Sequence, residues 1–240
     1  MAIELINYND SPTGQALIEA LAALPTRKEL RVYWGTSGAP AGLNSTPRKD
    51  AWQQLEVLAA AGLRVPEWTK SLRQATDWAT AGCLVFGRRK IHTQGTDIVG
   101  ARIHQFRSHK GNLIKRLRLG PGWAHREWWV KVIPDVEAEW RIHVLKGRSI
   151  YRGLKVQTGE STRRMPVRNR KNGWTMVHDQ APPEGLRALA VSAVRSCGYD
   201  FGAVDILTTK GGEAYVLEVN KAPRLDSSGV AAYAAAFLAV

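Results

Sequence analysis

Residues 201–223 read FGAVDILTTKGGEAYVLEVNKAP, two apolar runs separated by a Gly-Gly pair. The runs AVDIL and AYVLEVN are rich in β-branched residues, and a two-residue turn at Gly211-Gly212 predicts that they form a hairpin, because both glycines tolerate positive φ. Counting outward from this turn places Leu207 opposite Val216 and Asp205 opposite Glu218.

Two acidic residues that face each other across a hairpin repel, so their pairing needs an explanation. Asn220 falls on the same face as Asp205 and Glu218, about 7 Å beyond Glu218. The neighbouring apolar residues point to the other side of the strands. We therefore expect a cation on the acidic face, and oxygen ligands of this kind suit Mg²⁺. A solvent-exposed acidic face is the alternative.

A second hairpin, EWRIHVLKGRSIYRG at 139–153, has the opposite charge. A turn at its Lys-Gly pair predicts that Arg141 lies opposite Arg152. A bulge at Gly153 would place Lys155 on the same face as Arg141. Facing arginines favour bound phosphate, whereas a solvated basic face is the alternative. For His143 we expect a structural hydrogen bond rather than a role as proton carrier.

The remaining sequence predicts an α/β (α+β) protein. Strands alternate with helices over the first 88 residues, and strand-rich hairpins follow. The expected helices are 11–24, 47–61, 70–81, 184–197 and a short C-terminal one, and the expected early strands are 29–34 and 83–88. The basic stretch 99–126 is compatible with either a loop or a hairpin.

The net charge of +13 and the pI of about 10.1 predict a polyanionic partner, which is a nucleic acid, a nucleotide or an acidic protein. The cysteines Cys83 and Cys197 are expected to be reduced thiols, which favours a cytoplasmic protein. We find neither a secretory signal nor an apolar run that would span a membrane. Trp128, Trp129 and Trp140 are expected to pack in the core or near a hinge.

The order of these motifs resembles that of the ATP-grasp superfamily. WVKVIP is similar to its hinge strand, and EWRIHV and VRNRKNGW follow in the same order. The block GYDFGAVDIL…YVLEVNKAP resembles the superfamily pattern of an Asp followed by Glu-x-Asn. Within the superfamily, the chain resembles small stand-alone ATP-grasp proteins of tailed phages and, after them, the ribosomal-protein glutamate ligases. The resemblance covers roughly residues 30–225.

This resemblance implies two α+β lobes with ATP between them. The N-terminal α/β segment would be 1–66, and the ATP-grasp domain 67–240 would divide into lobes 67–133 and 134–240.

It also implies roles for individual residues. One or two Mg²⁺ ions, with Mn²⁺ as an alternative, would be held by Asp205, Glu218 and Asn220. The catalytic residues near the transferred phosphoryl and acyl groups would be Arg141, Arg168 and Asn169. Nucleotide would be bound by Arg88, His92, Gly95, Lys131, Val132, Ile133 and Lys155.

The implied activity is ATP-dependent ligation of a carboxylate to an amine through an acyl phosphate. The substrates would be small molecules, peptides or an acidic protein tail, because Lys221 and Arg224 add positive charge at the rim of the expected site. The alternative is a basic nucleic-acid-binding protein on an ATP-grasp-like scaffold without turnover. A membrane partner is not expected.

Overall fold

The computed structural model describes residues 3–7, 10–25, 29–38, 41–89, 98–107, 113–158 and 167–240. Within these ranges the protein has a mixed α+β fold, as predicted. The helices are α1 Pro12–Ala22, α2 Ala51–Ala60, α3 Leu72–Thr80, α4 Leu186–Ser196 and α5 Ser227–Leu238. The strands are β1 Ile3–Asn7, β2 Leu30–Trp34, β3 Trp68–Thr69, β4 Val85–Arg88, β5 Val99–Arg107, β6 Leu113–Leu119, β7 Trp128–Lys131, β8 Val136–Leu145, β9 Arg148–Gln157, β10 Trp174–Val177, β11 Phe201–Thr209 and β12 Ala214–Asn220.

Local capping sets where the helices begin. The Ser11 hydroxyl accepts a hydrogen bond from the Gly14 amide, and Pro12 starts α1 as predicted. The amide of Asp50 donates to the Gln53 side chain at 2.8 Å. Because this cap lies at Asp50, α2 starts at Ala51, later than the sequence predicted.

The strands form two five-stranded sheets and one parallel pair. The C-terminal sheet has the order β10-β9-β8-β11-β12, and the middle sheet has the order β3-β7-β4-β5-β6. Strand β1, which the sequence patterns did not predict, pairs in parallel with β2. The basic stretch 99–126 contains the β5–β6 hairpin, which decides between the two alternatives left open for it.

The β11–β12 hairpin confirms one predicted pair and corrects another. Asp205 lies opposite Glu218, but Leu207 lies opposite Tyr215 rather than Val216. Near the turn the register is therefore one residue away from the prediction, and Gly212 has positive φ whereas Gly211 does not. A bulge that contains Leu217 restores the predicted register at Asp205.

The β8–β9 hairpin turns at Lys146-Gly147 as predicted, with φ of 45° and 76°. A bulge then follows, because Val144 lies opposite Ser149 and His143 lies opposite Tyr151. Arg141 therefore lies opposite Gly153, and the predicted Arg141–Arg152 pair is wrong. The same shift places Lys155 on the Arg141 side of the sheet. The bulge expected at Gly153 thus occurs closer to the turn.

Both sides of the C-terminal sheet are packed. On one side Ile142 and Val204 lie in a core with α4 and with Leu58 of α2. The other side carries Arg141 and Asp205, and we call it the polar face. At the far end of the polar face, residues of β2, α1, β11 and α5 form a second core, whose largest members are Leu17, Trp34, Phe201, Tyr233 and Phe237.

The three tryptophans expected in the core are buried: Trp128, Trp129 and Trp140 are each at most 5% exposed. Cys83 and Cys197 are free thiols. No helix in the described part of the chain is long and apolar enough to cross a membrane. The division at residues 66 and 133 stays a prediction.

Candidate active site

One row of paired positions crosses four strands of the C-terminal sheet on its polar face. Glu218 of β12 lies opposite Asp205 of β11, which lies opposite Arg141 of β8. Arg141 in turn lies opposite Gly153 of β9. Arg141 and Glu218 are 77 residues apart in the sequence, and strand pairing brings them into one row.

Arg141 and Asp205 form a two-point ion pair. Nε of Arg141 lies 2.6 Å from Oδ1 of Asp205, and Nη2 lies 2.7 Å from Oδ2. Burial lowers the pKa of the guanidinium, but the Asp205 carboxylate outweighs burial, so the pKa of Arg141 is raised. The Asp205 side chain is only 6% exposed. The cation that the facing carboxylates require is therefore supplied by Arg141.

A second ion pair lies beside the first. Nζ of Lys155 donates to Oε1 of Glu139 and lies 3.8 Å from Oδ2 of Asp205. Burial lowers the pKa of Lys155, but the two carboxylates outweigh it and raise this pKa. Lys155 thus shares the polar face with Arg141, as expected. Its ammonium and the Arg141 guanidinium are each paired with a carboxylate on a neighbouring strand.

The three predicted metal ligands lie together at the β12 side of this array. Asn220 donates to Glu218 through Nδ2 at 2.9 Å, and its backbone lies opposite Ala203. Two carboxylates and one amide oxygen form a donor set that fits Mg²⁺. No group of three Asp, Glu, His or Cys side chains with metal-site spacing occurs in the described ranges, so any metal here would use the amide of Asn220 as well.

Arg168 and Asn169 differ in how they are engaged. The Arg168 guanidinium stacks 4.6 Å from the Trp174 ring and donates to the Val136 carbonyl at 3.4 Å. Burial lowers the pKa of Arg168, and the Glu139 carboxylate offsets this effect only in part. The Asn169 side chain accepts from the Asn172 amide at 3.0 Å and caps a short 3-10 turn.

The predicted nucleotide residues of the middle sheet have partners inside the protein. The amides of Lys131 and Val132 donate to the carbonyls of Glu67 and Leu84, both at 2.9 Å. Ile133 is buried, at 9% exposure.

The side chains at this sheet edge are engaged as well. Nζ of Lys131 lies 2.7 Å from the Glu67 carboxylate. The Arg88 guanidinium lies 5.1 Å from the Trp128 ring, and its buried Nε has no hydrogen-bond partner among the described residues. The predicted residues His92 and Gly95 lie outside the described residues.

His143 has a structural hydrogen bond, as expected. Its Nδ1 lies 3.2 Å from the Tyr233 hydroxyl of α5. Burial, together with the nearby Arg141 cation, lowers the pKa of His143 to about 3. The ring is therefore neutral at physiological pH and is not suited to carry protons.

Lys221 does not lie at the rim of the site. It is 3% exposed, and its ammonium donates to the backbone carbonyls of Thr36 and Thr46. Burial lowers the pKa of Lys221 to about 8. The expectation that it contributes surface charge is therefore wrong, whereas Arg224 is exposed. Lys221 instead fastens both ends of the glycine-rich loop after β2 to the end of β12.

Asn44 is a second internal anchor that the sequence patterns did not reveal. It is fully buried with φ of 57°, and its Oδ1 accepts from the amides of Asp200 and Phe201 at 2.7 and 3.0 Å. Its Nδ2 donates to the Phe201 carbonyl at 2.8 Å. An asparagine just after a Gly-rich loop is the sequence signal that could have identified it, because asparagine is enriched at positive φ.

No protein-family model matches the sequence, and a search of curated proteins found no match. Solved structures do match along nearly the whole chain. ATP-grasp ligase PsnB, in complex with its minimal precursor, has a TM-score of 0.65 at 12% identity, with 99% of each chain covered. Macrocyclase MdnC of Microcystis aeruginosa MRC, bound with precursor peptide MdnA, has a TM-score of 0.60 at 11% identity, with 99% of each chain covered.

D-alanine–D-alanine ligase of Bacillus anthracis has a TM-score of 0.59 at 12% identity, covering 100% of this chain and 92% of the ligase. Two of these three proteins are ligases by name and the third is a macrocyclase, and all three share this arrangement of strands and helices. The chain therefore has the ATP-grasp fold.

Proposed function

We propose that the protein is an ATP-dependent carboxylate–amine ligase. The observation that carries this proposal is the row Glu218–Asp205–Arg141 on an ATP-grasp sheet. A buried carboxylate at Asp205 that faces the half-buried Glu218 and is balanced by Arg141 is costly to build, and an anionic ligand with its metal accounts for all three groups.

Asp205, Glu218 and Asn220 would hold Mg²⁺, or Mn²⁺, at one or two positions. When bound, the metal would neutralise charge on the phosphates of ATP. Arg141 and Lys155 lie beside these ligands with guanidinium and ammonium groups that suit phosphate oxygens. In the ligated state Arg141 would divide its hydrogen bonds between Asp205 and the transferred phosphoryl group.

The reaction would have two steps. An oxygen of the substrate carboxylate attacks the γ-phosphorus of ATP, the bond to the β–γ bridging oxygen breaks, and ADP leaves. The nitrogen of the amine then attacks the acyl phosphate, a C–N bond forms, and inorganic phosphate leaves. Positioning and charge neutralisation are the main demands of this chemistry.

Arg141 and Arg168 would stabilise the charge on the transferred group, and Asn169 would orient the turn beside it. The edge of the middle sheet at Lys131, Val132 and Ile133, together with Arg88, His92 and Gly95, would contact the nucleotide. The backbone amides of Lys131 and Val132 already donate hydrogen bonds inside the protein. Adenine would therefore be recognised by the backbone carbonyl groups of this segment or by Ile133.

A peptide is the substrate class that we propose. PsnB and MdnC were both solved with a precursor peptide, and these two structures match 100% and 99% of this chain. The net charge of +13 favours an acidic peptide. We place the reaction in the cytosol, since Cys83 and Cys197 are free thiols.

Thermal-shift titrations test the nucleotide site directly. ADP and a non-hydrolysable ATP analogue are each added with and without Mg²⁺, and a ligand that binds only the native state raises the Tm. We expect a Mg²⁺-dependent increase that Asp205→Asn abolishes and that Asp77→Asn, an exposed change on α3, retains. An unchanged shift in Asp205→Asn would rule out the metal assignment, and no shift in the wild type would rule out the nucleotide site.

A further inference from the structure

A second polar cluster lies on the polar face beyond Arg141. Nε2 of His178, which follows β10, lies 3.1 Å from Oδ2 of Asp226 at the start of α5. The Tyr151 hydroxyl donates to Oδ1 of the same carboxylate at 2.9 Å. The rings of Tyr151 and His178 stack with centroids 4.6 Å apart. The site described above makes no use of these three side chains.

This cluster continues the row of residues that crosses the sheet. Gly153 lies opposite Arg141, and a Cβ atom on Gly153 would lie 2.9 Å from Cε1 of His178. His178 therefore packs directly over the residue next to Arg141 in the row. The backbones of Arg141 and His178 are two strand spacings apart, about 10 Å. The cluster is therefore a neighbour of the arginine that we propose contacts the transferred phosphoryl group.

The hydrogen bonds of His178 determine which nitrogen can bind a ligand. Nδ1 lies 2.6 Å from the Arg152 carbonyl, which can only accept, so Nδ1 carries a hydrogen. Nε2 faces the Asp226 carboxylate in one of two states. Either a proton lies between the two atoms, or Nε2 presents a lone pair to a carboxylate oxygen that also carries lone pairs. Without that proton, the two atoms form a pair of acceptors 3.1 Å apart.

The residues around His178 and Asp226 leave these two side chains accessible from solvent. Asp226 also accepts from the Gly229 amide at 2.8 Å, which fixes the carboxylate at the N-terminus of α5. His143 lies behind Tyr151 and is neutral, and the Arg152 guanidinium donates to the Gln180 carbonyl at 3.0 Å. The side chains of His178 and Asp226 are 29% and 48% exposed, so a solute can reach them.

We propose that His178 and Asp226 bind the ammonium group of the acceptor amine and that His178 removes its proton. This inference rests on the proposed ligase function and identifies the acceptor site. An ammonium group donates one N–H to Nε2 of neutral His178 and another to Oδ2 of Asp226, in place of the single proton that they share.

All protons are accounted for when the amine attacks the acyl phosphate. One ammonium proton passes to Nε2, where the imidazolium is stabilised by Asp226. The free amine then attacks the acyl carbon, the C–O bond to phosphate breaks, and the second nitrogen proton leaves with the phosphate. His143 cannot serve in this role because it is buried and bonded to Tyr233.

An NMR titration tests the proposal without turnover or nucleotide. At pH 6 the ring resonance of His178, identified by its loss in His178→Gln, is followed while methylammonium chloride is added. Methylammonium competes with the shared proton, so the resonance is expected to move toward the neutral-imidazole position. Tetramethylammonium has the same charge but no N–H groups and should not move it.

The variant Asp226→Ser keeps a capping side chain for α5 but removes the carboxylate. It is expected to weaken methylammonium binding at least about tenfold, since a charged hydrogen bond is lost. Equal responses to both cations, or full binding by Asp226→Ser, would overturn the proposal. Because no nucleotide is present, such a result would leave the thermal-shift test of the ligase function unaffected.

Discussion

Arg141 meets Asp205 side-on across β8 and β11, through Nε and Nη2, with two hydrogen bonds of 2.6 and 2.7 Å. Asp205 at the same time lies directly opposite Glu218 on β12. The internal arginine thus allows two carboxylates to face each other before any ligand arrives. It also means that a metal or phosphate must compete with a contact that already exists.

The first prediction concerns this ion pair. Arg141→Met removes the cation that is hydrogen-bonded to the buried Asp205 carboxylate, leaves only Lys155 at 3.8 Å, and should lower the free energy of unfolding by about 3 kcal/mol. Urea denaturation measures this change. In Arg141→Met/Asp205→Asn the uncompensated charge is gone, so part of the loss should return. If the two single changes simply add, the pair contributes no coupling energy.

The second prediction concerns pH and His143. Its pKa of about 3 in the folded protein lies below its ordinary value of 6.5. Between these values the unfolded chain binds a proton that the native state does not, so stability falls as the pH is lowered through 6.5. From pH 7 to pH 4.5 this group should contribute a loss of about 3 kcal/mol.

His143→Gln should remove that contribution while it retains a partner for the Tyr233 hydroxyl. Urea midpoints between pH 4.5 and 7.5 would therefore vary less with pH than in the wild type. His125→Gln, at an exposed position, is the matched control and should leave the pH dependence unchanged. Identical pH profiles for His143→Gln and the wild type would contradict the neutral, buried state of this ring.

The third prediction separates two roles of Asn44. Asn44→Ala removes the side-chain hydrogen bonds to Asp200 and Phe201 and places alanine, which tolerates positive φ less well than asparagine, at φ of 57°, so we expect a loss of about 3 kcal/mol. Asn44→Gly loses the same hydrogen bonds without the backbone strain. Thermal unfolding should show Gly to be less damaging than Ala by about 1 kcal/mol. A more stable Ala variant would show that the positive φ is not a constraint.

The fourth prediction concerns the clamp made by Lys221. Lys221→Met leaves the carbonyls of Thr36 and Thr46 without their donor, so the loop should open more often. Amide hydrogen exchange at Gly38, whose N–H donates to the Ser45 carbonyl at 3.2 Å, should become about tenfold faster or more. The exposed change Arg224→Met should leave this rate unaltered. Equal rates in both variants would argue against a clamp.

The sequence predicted correctly that Asp205 pairs with Glu218, but it predicted the wrong register next to the turn. The turn between β11 and β12 is displaced by one residue, and the bulge at Leu217 displaces the register back, so Asp205 still faces Glu218. In the other hairpin the turn was right and a bulge followed, so Arg141 faces Gly153 instead of Arg152. Bulges depend on packing against both faces of the sheet, which short sequence patterns do not contain.

Residues that act through distant partners were harder to predict. The roles of Lys221 and Asn44 depend on contacts between the loop after β2 and the strands β11 and β12, which are more than 150 residues away. His178 and Asp226 come from segments with no motif of their own. Alternation and turn chemistry are local, so they predicted strands and faces but not these contacts.

The core beneath α5 also has a consequence for the timing of folding. Trp34 stacks on Phe201 and meets Tyr233 edge-on at 5.3 Å between ring centroids, so this core combines early and late parts of the chain. At a ribosomal rate of about 5–20 residues per second, Trp34 waits roughly 10–40 seconds for its partners. During that interval the apolar surfaces of α1 and β2 are exposed. A nascent chain of this protein is therefore expected to need protection by chaperones until residues 227–238 have been synthesised.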